Sequence, residues 1–410
     1  MEFIREKIKE KPISKKKIFA RIGVAALCGF VFSIVVIAMM FIFMPIISNS
    51  SNVEVKNTEE ETEGVTETEE TQNTEQAVII PPDLNLSLSD YQVLQDELYE
   101  IGNRINASIV TVTTVSTEEE DWAENPFEAE GQSSGLIVLE DANYLYVLTE
   151  KKVISDTSHI RVSFVDNTGA SGTLLKYDAN TGLAVLTVEK RQLGSSTKNR
   201  IEVANLGSSY EMSNGSIVIA LGSPLGTNYS ILTGNITSVQ NEISTLDKNY
   251  SVFTTDIVAS ESASGVLVNT KGEVIGIVMQ SFSGSQDINT LTAVEVDELK
   301  SMIEMLCDGK DVPYMGIYTS TVTKDISKDY DIPMGVYIKS VKADSPAMDA
   351  GLQSGDIIIK INEDSVTTDA VFSDKVSQLI PGTTCEILVK RQNGNEYYDV
   401  VCVVEIGILE

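Results

Sequence analysis

Side chains able to bind a metal or move a proton near neutral pH are sparse in this 410-residue chain. It has one histidine, His159, and four scattered cysteines, Cys28, Cys307, Cys385 and Cys402. Zinc sites need closely spaced Cys and His ligands, and no CxxC pair occurs. No metal site is therefore expected, and no cofactor motif is visible. His159 stands at the head of a β-branched run, 160–165, which reads as a surface or loop position. The formal net charge is -30. Such a surface repels phosphate backbones and excludes nucleic acid as a partner.

The elements that must position any site are mostly strands. Short β-branched runs between Gly, Asn and Asp turns recur at 108–115, 136–138, 145–148, 160–165, 183–188, 216–221, 234–239, 265–268 and 274–279. Many short strands of this kind predict an all-β barrel or sandwich. A helix is expected before them at 90–104, with Tyr91, Leu94, Leu98 and Ile101 on one face. Another is expected after them at 296–307, with Leu299, Met302, Ile303 and Leu306 on its apolar face and Gly309 as a stop. A second, mixed α/β pattern begins at Val312.

The N-terminus points to a membrane. No charged residue occurs from Ile22 to Met44. As a helix that stretch would span roughly 34 Å, enough for a bilayer core. Arg5, Lys7, Lys9, Lys11, Lys15, Lys16, Lys17 and Arg21 precede it, and an acidic segment follows. The positive-inside rule puts 1–21 in the cytoplasm, 22–47 in the membrane and the remainder outside. The run is too long for a cleaved signal peptide, and no small-x-small site follows it. Residues 48–88 are rich in Glu, Thr and Asn and read as an acidic, extended tether.

Residues 345–358, SPAMDAGLQSGDII, resemble the SPAxxAGLxxGDxI stretch of bacterial PDZ domains. Tyr314-Met315-Gly316-Ile317 stands where such domains carry their carboxylate-binding loop, with 369–380 as the helix flanking the groove. Upstream, Ser134-Gly135-Leu136-Ile137, Tyr146-Val147-Leu148-Thr149 and Asp178-Ala179-Asn180-Thr181-Gly182-Leu183-Ala184-Val185-Leu186 are similar to strands of the HtrA family's trypsin-like domain. Gly222-Ser223-Pro224-Leu225-Gly226 resembles that family's GNPFG turn, and 264–277 its GGPLVN…GxVIGI stretch. The resemblance implies a mainly β chain: a trypsin-like double β-barrel at 89–300, a linker at 301–312 and a PDZ domain at 313–407. It also implies trimers, homo-oligomeric or with active HtrA-like subunits, and partners that are peptide or protein C-termini or unfolded proteins.

Carried over residue by residue, the catalytic positions are degenerate. Lys152 stands at the histidine position, Gly182 at the aspartate position, Ala263 at the serine position and Glu261 at the oxyanion-hole glycine. Acyl transfer needs a hydroxyl nucleophile, a base and an orienting carboxylate, and these residues supply none of the three in the required place. The resemblance thus implies a membrane-anchored, extracytoplasmic pseudoprotease in quality control or regulation. The alternative is an atypical endopeptidase using Ser262 or Ser264 with Lys152 as base. Two finer expectations follow. Lys152 and Glu261, opposite charges at vacated positions, could pair with each other. Cys385 and Cys402 flank a hairpin turning at Asn393-Gly394, and in a two-residue loop they would face each other, as a disulfide or as two free core thiols.

Overall fold

The computed structural model describes residues 87–115, 131–154, 159–284, 289–394 and 396–409. The stretches 1–21 and 22–47, and all of the tether except 87–88, lie outside the described residues. Among the described residues no helix is long and apolar enough to cross a membrane.

Helix α1 (Leu88–Ile105) opens on a capping box, in which Ser87 accepts from the Asp90 amide and Asp90 accepts from the Ser87 amide. This satisfies two otherwise orphaned donors. Leu98 and Ile101 pack on the core, while Tyr91 and Leu94 remain exposed. Only the second half of the expected apolar face is thus covered.

Twelve strands follow: β1 (Ile109–Val115), β2 (Gly131–Glu140), β3 (Tyr144–Glu150), β4 (His159–Ser163), β5 (Gly169–Tyr177), β6 (Leu183–Glu189), β7 (Ile217–Ser223), β8 (Ser230–Ser244), β9 (Asn249–Val258), β10 (Ser264–Val268), β11 (Val274–Met279) and β12 (Thr290–Glu295). They close into two six-stranded antiparallel barrels, ordered β1-β2-β3-β6-β5-β4 and β10-β11-β12-β9-β8-β7. Closure removes the unpaired edges that β-branched strands would otherwise present. Each barrel holds its own apolar interior, around Phe164 in the first and Phe253 in the second. A third cluster lies between the barrels, where Leu136, Leu148 and Leu183 meet Val266 and Ile277. Helix α2 (Val296–Cys307) lays Leu299, Met302, Ile303 and Leu306 on that same cluster. Burying a side chain of this size is worth about 1.5–3 kcal/mol.

Strands β5, β9 and β12 were not expected from hydrophobic pattern. Strands β9 and β12 place threonines at buried positions, and β5 buries only Ala170. Thr255 and Thr292 are buried, and the Thr255 hydroxyl donates to the Leu291 carbonyl at 3.0 Å. A buried hydroxyl with an acceptor costs little, so alternation need not be apolar here.

The PDZ domain contains β13 (Pro313–Tyr314), β14 (Ile317–Val322), α3 (Lys324–Tyr330), β15 (Gly335–Val341), α4 (Pro346–Asp349), β16 (Ile357–Ile361), β17 (Asp364–Ser365), α5 (Asp369–Ser377), β18 (Thr384–Asn393), β19 (Glu396–Glu405) and β20 (Gly407–Ile408). Strands pair in the order β14-β15-β16-β18-β19, so β14 is an edge with α5 beside it. Helix α5 ends three residues before the expected 380.

The cysteine register differs from expectation. Asn393 lies opposite Glu396, so the hairpin reverses one residue later than 393–394 would allow. Cys385 then faces Val404 and Cys402 faces Ile387. The two cysteines are diagonal neighbours, roughly 7–8 Å apart in an ideal ladder and beyond easy disulfide reach. Both are free, buried thiols.

Candidate functional site

Strand β3 delivers Lys152 to the barrel rim. Its last residue, Glu150, pairs with Leu183 at the start of β6, and a 3₁₀ turn, Lys151–Val153, follows. Gly182 precedes β6 in a turn organised by Asp178. The Asp178 carboxylate accepts from the Asn180 and Thr181 amides at 3.2 and 2.9 Å and from the Thr181 hydroxyl at 2.6 Å. Gly182 has φ +78°, and its carbonyl accepts from the Lys151 amide at 2.7 Å. The two positions are thereby tied together.

Ala263 comes from the second barrel. Its amide donates to the Ser260 carbonyl at 3.0 Å, and its methyl is wholly buried within the β7–β12 barrel cluster. Ser262 is exposed, with its hydroxyl 3.3 Å from that of Ser260. Ser264 is buried, and its Oγ accepts from the Ser134 amide of the first barrel at 3.0 Å. Neither hydroxyl is bonded to Lys152. The three flanks do converge: Glu150, Leu183 and Ser264 line one inter-barrel cavity. Its volume is ≈ 20 Å³, room for about one water molecule.

Lys152 does not pair with Glu261. Its Nζ lies 2.8 Å from Glu150 Oε2, a nearer partner two residues back, while Glu261 is exposed. Reading the sequence singled out Lys152 and Glu261 and overlooked Glu150, whose side chain is only 9% exposed. Burial pushes the Glu150 carboxyl up, against the pull of Lys152. Its Oε1 is buried without a hydrogen-bond partner. A carboxyl raised in the folded state contributes stability at low pH and loses it as pH rises through the folded value. Glu150→Gln should therefore gain stability over the parent as pH goes from 5 to 8. Thermal melts across that range check this; parallel curves would refute it. His159 begins β4 at an exposed position, as a surface histidine would.

The PDZ motif builds the second site. Ser345 caps α4 by accepting from the Met348 amide at 3.3 Å, with Pro346 in the first turn. The Ala347 amide donates to the Met315 carbonyl at 3.0 Å, which docks the motif on the 314–317 loop. Gly316 has φ +95°, and a Cβ there would sit 2.4 Å from Ser345 Cβ, so only glycine fits. The Met315, Gly316 and Ile317 amides converge on one point. Tyr314 takes no part in that convergence and pairs in β13 with Gly407 of β20.

The point of convergence is occupied by Asp247, from the β8–β9 hairpin of the second barrel. Its Oδ2 accepts from Met315 and Gly316 at 2.8 and 2.9 Å, and its Oδ1 from Gly316 and Ile317, both at 3.0 Å. Burial raises this carboxyl to about 6, against the stabilising Ile317, Gly316 and Met315 amides. Sequence reasoning missed Asp247. Nothing near it signals a partner some 68–70 residues away. A crevice of ≈ 440 Å³ adjoins it, lined among others by Tyr177, Asp178, Tyr250, Tyr314 and Asp369.

Residues 133–277 match the trypsin-like peptidase domain model and 313–401 the PDZ domain model. A probable periplasmic serine endoprotease, DegP-like, from Hahella chejuensis is 32% identical over 291 residues, covering 69% of this chain and 58% of the relative. One of the same description from Ectopseudomonas mendocina is 31% identical over 275 residues, covering 66% of this chain and 56% of the relative. The chain belongs to the HtrA family. It spans a little over half the length of these curated relatives. Among solved HtrA-type structures, the protease AlgW with tripeptide aligns at TM-score 0.55 and 22% identity, covering 76% of this chain and 97% of that one. AlgW with decapeptide aligns at TM-score 0.54 and 20% identity, with 76% and 99% covered. These last two likenesses speak to the fold alone. Within an HtrA framework, Lys152, Gly182 and Ala263 stand on the β3–β6 rim and the β9–β10 turn.

Proposed function

We propose that this HtrA-family chain is a membrane-anchored, extracytoplasmic pseudoprotease that holds peptides or unfolded segments and does not cut them. Residues 1–21 form the cytoplasmic segment, 22–47 the anchor, 48–88 the tether, 89–300 the degenerate protease domain, 301–312 a linker and 313–407 the PDZ domain. The periplasmic description of its relatives supports the extracytoplasmic placement. One observation carries the loss of chemistry: the residue at the nucleophile position, Ala263, is a buried methyl. Its neighbours do not replace it, since the Ser264 oxygen is engaged by the Ser134 amide and Ser262 bonds to Ser260. The lysine at the base position is ion-paired to Glu150. A protonated, paired ammonium has no lone pair with which to take a proton. Loss of a triad member costs on the order of 10⁴ in turnover.

The binding role rests on the PDZ loop, whose three convergent amides suit a carboxylate. Assembly with active HtrA-like subunits would place such a binding module beside working proteases.

The test is incubation of the full-length chain with unfolded casein, beside an active HtrA protease and a Lys152→Ala variant. The expected result is no fragments from either form of this chain, at least 10⁴-fold below the active enzyme. Cleavage that disappears in Lys152→Ala would overturn the proposal and establish a Ser–Lys hydrolase.

A further inference from the structure

The Asp247 carboxylate makes the contacts that a peptide C-terminus would make in the PDZ groove. Besides the Met315, Gly316 and Ile317 donors, its backbone amide donates to the Ile317 carbonyl at 2.7 Å, as an added strand residue does. The Ser373 hydroxyl of α5 donates to its carbonyl at 3.0 Å. Both walls of the groove, β14 and α5, therefore grip one residue of the neighbouring domain.

The hairpin tip is shaped to present that carboxylate. Asp247 adopts φ +61°, a left-handed conformation uncommon outside glycine, asparagine and aspartate. The turn is closed by Thr245, whose amide and hydroxyl both donate to the Lys248 carbonyl, at 3.0 and 2.7 Å. Asn180 clamps it from behind, donating to the Leu246 carbonyl at 2.8 Å and accepting from the Leu246 amide at 3.2 Å. Asn180 lies in the turn that also carries Gly182. The Lys248 ammonium donates to the Glu298 carbonyl at 2.6 Å and pairs with its carboxylate at 3.1 Å.

We infer that Asp247 is an internal ligand of the PDZ carboxylate loop, a lock that a peptide's terminal carboxylate must displace before it can bind. This rests on the reading of the PDZ domain as a carboxylate-terminated peptide binder. Three backbone donors cannot serve two carboxylates at once, so lock and peptide are mutually exclusive. A site that is competent only while the lock is open binds with an apparent affinity reduced by the open fraction.

The test uses the full-length chain, Asp247→Ala and the milder Ser373→Ala. The first readout is hydrogen exchange of the 315–317 amides. The second is binding to an array of random decapeptides carrying free C-terminal carboxylates, with C-terminal amides as controls. Asp247→Ala should exchange at 315–317 at least 10-fold faster and bind free-carboxylate peptides about 10–100-fold more tightly, without gain for the amides. Ser373→Ala should move both readouts about 2–5-fold in the same direction, and serves alone if Asp247→Ala does not fold. Unchanged exchange, or equal peptide affinity in parent and variant, overturns the lock. Faster exchange with no peptide bound by either protein upholds the lock and removes the peptide-binding reading.

Discussion

Gly265→Ala is expected to abolish folding of the second barrel or to lower its melting temperature by well over 10 °C. Gly265 sits two residues beyond Ala263, inside β10, and has φ +132°. A Cβ built there would lie 1.9 Å from the Leu221 carbonyl oxygen and 3.0 Å from Gly222 Cα. Both obstacles are backbone of the adjacent strand. No side chain can swing aside to make room, and β10 is held by β7 on one side and β11 on the other. Backbone strain of about 1–3 kcal/mol is added to the clash, so a total above about 4 kcal/mol is expected. Gly182→Ala is the control. Its φ is +78°, but nothing lies within 4 Å of the new Cβ, so only the left-handed cost of about 1–2 kcal/mol remains. Far-UV melts of both variants check the pair. A Gly265→Ala protein melting as late as Gly182→Ala would show that the β7–β10 contact is not the constraint described.

Arg391→Ala should destabilise the PDZ domain by about 3–5 kcal/mol. Asp356, the aspartate of the GD pair in the PDZ motif, is 1% exposed. It receives Arg391 through both ends of the guanidinium, at 2.7 Å each, and accepts from the Gln353 amide at 2.9 Å. The same guanidinium donates to the Gly351 carbonyl at 2.8 Å, closing the motif's turn. Removing the arginine leaves a buried carboxylate with one amide donor. Removing the aspartate as well relieves that charge, so Asp356→Asn with Arg391→Ala should cost less than the two single changes added. Urea titrations of a double-mutant cycle measure this coupling, expected above about 1 kcal/mol. Additive single effects would show that the pair does not act as a unit.

Local pattern and chemistry were legible from the residues alone. β-branched runs and turn residues pointed to an all-β barrel or sandwich, since strand periodicity follows from the pleat. The PDZ motif could be read because several of its letters act locally. Ser345 caps a helix, Gly351 and Gly355 take positive φ, and Asp356 closes a turn. That Ala263 offers no hydroxyl was equally readable, because a methyl has no oxygen in any fold. Strand β9 was missed because its buried Thr255 hydroxyl is satisfied by the Leu291 carbonyl, 36 residues along the chain.

What tertiary structure alone decided is which charges meet. Glu261, on the second barrel, stays exposed and away from Lys152 of the first, which leaves the lysine to its local neighbour Glu150 at 2.8 Å. The cysteines missed each other because the hairpin reversed one residue later than assumed. Asp247 reached the 315–317 amides because two domains pack so that one hairpin tip enters the other's groove. Composition and spacing fix which groups a chain owns and which backbone conformations its glycines permit. Which carboxylate desolvates against which donor depends on distances between segments remote in sequence, and those exist only once the chain has folded.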